Sequence, residues 1–488
     1  MEKKQTRADR WVKYLGFPGG ILAFLVLYLI PTPAGLTAAG QTALAAFSLA
    51  FLWWVSEPVP NYVTSLFLMI LLVFFGVRPE EEVLGALGLG VIWLNIAAFV
   101  LSSVLIKTNL ARRLSLMIAI RFGHNARLML LAFLALQFVL SSLIPSSAAR
   151  TVMTLPIMMT IASIYGSTAE RPNRFGKNMF LFNMQAIDMS SSVFVTGSSA
   201  NVLATGLIIA MANYRVYYSE RFFACAPVVL ATLLISWYIG PKFLFKMKPV
   251  EMKPQVEGGL ESMRSEAKGM GKVSFQEKKG ALIFAIVLFL WMTDRFHMQW
   301  FGFEISPVSA AILGSIIALC PKIGLIQWKE AEIPWHLLIF SAGAYAGGLA
   351  LETTGAARWM VSIMLDAFGI KPGINFWVVY IIVMVISAYT HIVFTSKTLR
   401  TIILIPIIIA LAKKLGFDPV SLALPAAFVI DWVISLPINA KPNLILYSTG
   451  QFSVLDNLKY GLIVTTIGVI LLIIAGFTLY RLMGIIPY

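Results

Sequence analysis

Nine stretches of this chain are apolar almost throughout: residues 19–31, 42–55, 62–77, 84–106, 222–245, 281–292, 307–320, 335–351 and 458–482. A helix needs about 20 mostly apolar residues to cross the hydrocarbon core of a bilayer. Most of the chain is therefore expected to sit in a membrane as helices. Of its 488 residues, 59% are hydrophobic and only 12% are charged. Ordinary soluble domains carry about 25% charged residues, and disordered chains combine low hydrophobicity with high charge, so both classes are excluded. No cleavage pattern follows the first apolar run, which is expected to remain as a span.

The rarer residues narrow the function. Cys225 and Cys320, the two cysteines, lie in apolar runs and read as small core residues rather than a disulfide framework. Four histidines (His124, His297, His336, His391), with no HExxH or CxxC pattern, leave no basis for a dedicated zinc site, and neither metal nor cofactor is expected. The net charge of +15 would suit a nucleic-acid binder in a polar chain. In a chain this apolar it reads as basic loops facing a cytoplasm.

Those loops set the sidedness. Lys3, Lys4, Arg7, Arg10 and Lys13 mark the N-terminus. Lys107, Arg112, Arg113, Arg121 and Arg127 follow, then Arg171, Arg174 and Lys177. Residues 242–279 hold nine Lys/Arg against five Glu. The positive-inside rule places all four regions in the cytoplasm, in a multi-pass protein of the plasma membrane. Four spans separate the first two regions, an even number as required. The apolar stretch 128–164 lies between two basic loops, so it must leave and return on one side. Its 37 residues make two short arms, interrupted by Ser141, Ser142, Pro145, Ser146 and Ser147. This predicts a re-entrant hairpin, tolerated where its broken backbone is buried in protein or lines a cavity.

The second half repeats the first. Leu143-Ile-Pro-Ser-Ser-Ala-Ala-Arg-Thr151 returns as Val393-Phe-Thr-Ser-Lys-Thr-Leu-Arg-Thr401, pairing Ser146 with Ser396 and Arg150 with Arg400 at an offset of 250. Pro156 and Pro406 follow the same spacing. Thr196-Gly-Ser-Ser-Ala-Asn201 returns as Ile438-Asn-Ala-Lys-Pro-Asn443 at 242, and Thr108–Arg112 as Thr354–Arg358 at 246. An acidic residue, Asp188 or Asp431, precedes each asparagine motif. With the first span extra, five units per half invert the second copy, and inverted repeats with paired polar breaks are the pattern of secondary transporters. The expected layout is an N-terminal segment and span (1–40), a first repeat (41–245; hairpin about 128–164, broken helix about 178–212), a basic linker (246–280) and a second repeat (281–488; hairpin about 374–414, broken helix about 418–450).

At these motifs the chain resembles the divalent-anion:sodium symporter family, which includes bacterial dicarboxylate and citrate carriers. The resemblance implies an all-α membrane fold of about eleven spans, two hairpins, a homodimer and elevator-type movement. Family members carry Ser-Asn-Thr at each hairpin tip and Pro-Pro-Asn-like loops in the broken helices, supplying oxygens to two sodium ions and polar groups to substrate carboxylates. This sequence has Ser146-Ser147-Ala148 and Ser396-Lys397-Thr398 at the tips. Gly197-Ser198-Ser199-Ala200-Asn201 and Asn439-Ala440-Lys441-Pro442-Asn443 form the loops.

Two tip asparagines are thus gone and two lysines have arrived. A dicarboxylate leaves water only if positive charge and donors replace its hydration. Broken-helix N-termini supply N–H groups and partial charge, Ser147, Ser198 and Thr398 add hydroxyls, and Lys397 and Lys441 take the place of mobile cations. The candidate substrate-binding residues are Ser146, Ser147, Ser198, Asn201, Ser396, Lys397, Thr398, Lys441 and Asn443. The expected activity is sodium-independent exchange of di- or tricarboxylates such as malate, succinate, fumarate or 2-oxoglutarate. Sodium-coupled dicarboxylate, citrate or sulfate symport is the alternative, with an anion channel more remote. Asp188, Asp431, Arg150 and Arg400 are assigned structural pairing or bracing, and His391 a satisfied buried position. Trp11, Trp53 and Trp54 read as interfacial anchors or packing. Ser146 with His391 has no orienting third group, so an enzyme is not expected.

Overall fold

The apolar runs fold as helices, because a backbone in lipid must satisfy its own hydrogen bonds. A computed structural model of the chain describes residues 7–256, 259–367, 373–392, 394 and 396–488. Parts of the N-terminal basic cluster, the linker and the second hairpin lie outside the described residues. Among the described residues every regular element is helical. Six helices among the described residues are long and apolar enough to cross a membrane, and six shorter apolar helices accompany them there.

The first hairpin consists of Ala126–Leu143 and Ser147–Ile164. Asn125 opens it, its side chain accepting from the Arg127 and Leu128 amides. At 18 residues each, the arms are about 27 Å long. Their outer ends nonetheless meet: the Tyr165 hydroxyl donates to the Gly123 carbonyl at 2.9 Å. The second hairpin is Phe376–Tyr389 and Lys397–Leu415. Its outer ends also meet, with the Phe376 and Phe417 rings 5.3 Å apart. Ser146 and Ser396 cap the returning arms in the same way, accepting from the Ala149 and Leu399 amides at 3.2 Å.

Two broken helices cross between the hairpins. The first is Arg174–Val193 and Ser199–Ala212, the second Pro419–Phe428 and Lys441–Tyr447. They run in opposite directions. Ser167, before the first, donates to Gln451, after the second, at 2.6 Å. At the other end, Lys413 on the second hairpin donates to the Met211 carbonyl at 2.7 Å. The halves are therefore inverted, and the hairpins reach the middle from opposite ends. The Thr108 and Thr354 motifs open corresponding short helices, Leu110–Phe122 and Ala356–Ala367.

Three basic regions gather at one end. Arg112 pairs with Glu266, and Arg113 with Glu277 at 2.5 Å, so the linker docks on the 107–127 segment. Arg174 donates to the Lys246 carbonyl at 2.6 Å.

Candidate substrate site

Both hairpin tips and both helix breaks meet at one cavity of about 690 Å³. Of the residues expected to bind substrate, Ser146, Ser147, Ser198, Ser396, Lys397, Thr398 and Lys441 line it. The facing wall comes from other helices, including Asn61, Ser102, Ser103 and Phe340, with Glu57 and Glu332 also at the cavity.

Asn201 and Asn443 do not line it. Both are fully buried behind the breaks. The Asn201 amide donates to the Ser191 and Phe194 carbonyls at 2.7 and 3.3 Å. The Asn443 amide donates to the Val433 and Leu436 carbonyls at 2.5 and 3.3 Å. These acceptors are repeat mates at the offset of 242. Each asparagine thus satisfies carbonyls that its own break releases, which uses up the donors assigned to substrate. At the first break Gly197 is required by space, since a Cβ there would fall on the Ser191 carbonyl.

Arg150 and Arg400 are braces, again in matched geometry. Arg150 donates to the Ile187 carbonyl at 3.3 Å and the Gln137 carbonyl at 3.5 Å. Arg400 donates to their repeat mates, Val429 at 2.8 Å and Ser387 at 3.0 Å. Each guanidinium ties a hairpin to its broken helix. His391 is satisfied between Ser435 at 2.7 Å and the Ala388 carbonyl at 2.5 Å.

The symmetry fails at the hairpin tips. Lys397 takes the position of Ser147, and its ammonium lies 2.7 Å from Asp188 and 3.3 Å from Asp431. The two aspartates come one from each broken helix, and their spacing of 243 misses the repeat offset by one. Asp431 also accepts from Ser198 at 2.9 Å. The lysine charge is therefore held by protein carboxylates. Lys441 is exposed in the cavity with no ion-pair partner among the described residues.

Arg221 was not singled out from the sequence. It donates to the Asn201 side-chain oxygen at 2.8 Å and the Ser192 carbonyl at 3.0 Å. The available signal was an arginine just ahead of the apolar run that begins at Phe222. Around the breaks, Arg150, Arg221, Arg400 and Lys397 face Asp188 and Asp431, four positive formal charges against two negative, or +2.

Hairpins and broken helices that meet at a shared cavity, in a chain of apolar helices, form the architecture of a membrane transporter. The chain belongs to the divalent-anion:sodium symporter family: the family's "Sodium:sulfate symporter transmembrane region" matches residues 9–486. A membrane protein of Cupriavidus necator is 26% identical, with 98% of this chain and 94% of that one covered. The sodium-dependent dicarboxylate transporter SdcS of Staphylococcus saprophyticus is 25% identical, with 98% and 93% covered. Two solved structures share the fold. The YdaH transporter of Alcanivorax borkumensis has a TM-score of 0.53 at 13% identity, covering 98% of both chains. MtrF of Neisseria gonorrhoeae has a TM-score of 0.55 at 14% identity, covering 97% of this chain and 98% of that one.

Proposed function

We propose that this protein exchanges C4 dicarboxylates or 2-oxoglutarate across the plasma membrane without sodium, by elevator-type movement of the hairpins and broken helices. The observation that carries the reading is Lys397, a covalently fixed cation wedged between two buried carboxylates at the hairpin tip. A sodium ion between tip and breaks would provide the same bridging. Here the bridge is covalently fixed, and the ammonium takes the position that a mobile cation would hold.

The substrate class follows from charge. The groups around the breaks sum to +2; at the cavity wall Lys441 adds one positive charge and Glu57 and Glu332 two negative, so the positive excess sits at the breaks. A dianion neutralises the buried excess, at roughly 4 kcal/mol per charge pair 4 Å apart in an effective dielectric near 20, before desolvation. Ser147, Thr398 and the capped N-terminus at Ser198 add donors for carboxylate oxygens. An empty site keeps its excess positive charge, which resists passage through an apolar barrier, so the loaded form moves and the flux is exchange. An elevator fits a site whose tips and breaks form one wall, with separate helices forming the other. The hairpins act as re-entrant elements. With the basic loops in the cytoplasm, the cavity beside Ile106 opens inward. A homodimer is consistent with the family.

Counterflow in proteoliposomes tests this. Labelled succinate or malate should enter vesicles preloaded with unlabelled dicarboxylate in sodium-free buffer. Uptake that strictly follows an inward sodium gradient, with no stimulation by internal substrate, overturns it.

Sodium-coupled symport is the second reading, favoured by one asymmetry. Arg221 occupies the Asn201 side-chain oxygen, whereas the Asn443 oxygen is buried without a hydrogen-bond partner. That oxygen is where a coupled sodium would bind.

A further inference from the structure

A second cavity, of about 610 Å³, shares no lining residue with the first and lies where the first broken helix begins and the linker starts. We propose that it holds the phosphate of an anionic phospholipid headgroup. Arg174, Lys177, Lys246 and Lys248 line it against one carboxylate, Glu251. Four positive charges and one negative give +3; pairing of Lys177 with Asp456 at 2.8 Å leaves +2.

The single carboxylate does not cancel the cations. Its oxygens accept from the main-chain amides of Arg174 at 3.1 Å and Lys248 at 2.6 Å, so it caps backbone. The helix N-terminus is thereby already occupied, and the ligand must be held by side chains. Arg174 spends one nitrogen on the Lys246 carbonyl. Lys246 and Lys248 are exposed and have no acidic partner among the described residues. A guanidinium with two adjacent ammonium groups is a phosphate-binding set.

The cavity wall points to lipid rather than a free ion. There the helix Tyr218–Ile239 widens into a π turn over Gly240–Leu244, closed by Phe245 donating to the Gly240 carbonyl at 2.8 Å. Such turns recur at functional sites. This one sets Leu244 and Phe243 on the wall, Phe243 being 65% exposed. Beside them Lys242 lies over the rings of Tyr238 and Phe243, 4.4 and 5.3 Å from their centroids. Aromatic rings with a basic side chain mark the membrane interface, and basic pockets between helices on the cytoplasmic side accept anionic headgroups. A bound lipid would join the start of the broken helix that carries Asp188 to the linker.

The test is native mass spectrometry of the full-length protein, titrated with phosphatidylglycerol, phosphatidylcholine or inorganic phosphate. Phosphatidylglycerol should be retained over phosphatidylcholine and resist displacement by phosphate. K246Q/K248Q should weaken its retention roughly thirtyfold, the equivalent of about 2 kcal/mol at about 1 kcal/mol per charge. Removing two linker charges outside the cavity, in K268Q/K272Q, should change it little. Equal loss in both variants overturns the site in favour of diffuse attraction. Full displacement by inorganic phosphate overturns the lipid in favour of a free anion. If K246Q/K248Q fails to fold, lipid selectivity and phosphate competition on the unsubstituted protein decide alone.

Discussion

Lys397 has two buried acidic neighbours, so its removal has a cost separate from transport. Lys397→Ala leaves Asp188 and Asp431 facing each other without the ammonium. Breaking a buried pair this way costs about 3–5 kcal/mol, which thermal unfolding in detergent will read as a large fall in Tm. Asp188→Asn in the same background removes one of the two carboxylates left facing each other and should restore part of the loss. Equal loss in the single and double variants would mean the triad is not an energetic unit. Lys397→Asn also separates the two coupling schemes: exchange should be lost or acquire a sodium requirement, and unchanged sodium-free exchange would remove this lysine from the mechanism. Lys441 is different, since no carboxylate holds it. Lys441→Gln should raise the substrate concentration for half-maximal uptake roughly tenfold, as expected for one lost hydrogen bond to a charged group, with little change in Tm.

The breaks and hairpins depend on groups that never touch the cavity. Asn201→Ala frees the Ser191 and Phe194 carbonyls and strips Arg221 of an acceptor. Unsatisfied buried groups cost about 1–3 kcal/mol each, and Asn443→Ala should be milder because its oxygen has no partner to lose. Equal falls in Tm would contradict that difference. Much of this level was legible in the sequence. The offsets of 250 and 242 located the hairpins and breaks, and Arg150 and Arg400 were readable as braces because they share a repeat position. The roles of the asparagines were not. Asn at a break reads equally as a ligand or as a brace, and only the positions of carbonyls seven and ten residues upstream decide it. The triad was hidden for a related reason: three residues from three elements converge, and Asp188 and Asp431 miss the repeat offset by one. Sequence alone thus offered Asp431 as a buried partner for Lys397, but not Asp188, nor the joining of both by one ammonium.

At the scale of the whole molecule, the account rests on a positive charge excess around the breaks that a bound dianion offsets. Efflux from preloaded vesicles should therefore be at least about tenfold slower without external dicarboxylate. Tenfold needs only about 1.4 kcal/mol of added barrier, and an uncompensated buried charge costs several. Equal efflux with and without external substrate would instead indicate uniport or a channel. The fold class followed from apolar runs and loop charge, because lipid leaves so few options for a backbone. Three of the four basic regions pack side by side. The central claim is that a fixed ammonium does the work of a mobile cation, and equilibrium binding tests it most directly. Dicarboxylate affinity of the purified protein should be measured calorimetrically as sodium replaces choline at constant ionic strength. The account predicts one dissociation constant across the titration; an affinity that climbs and saturates with sodium would contradict it.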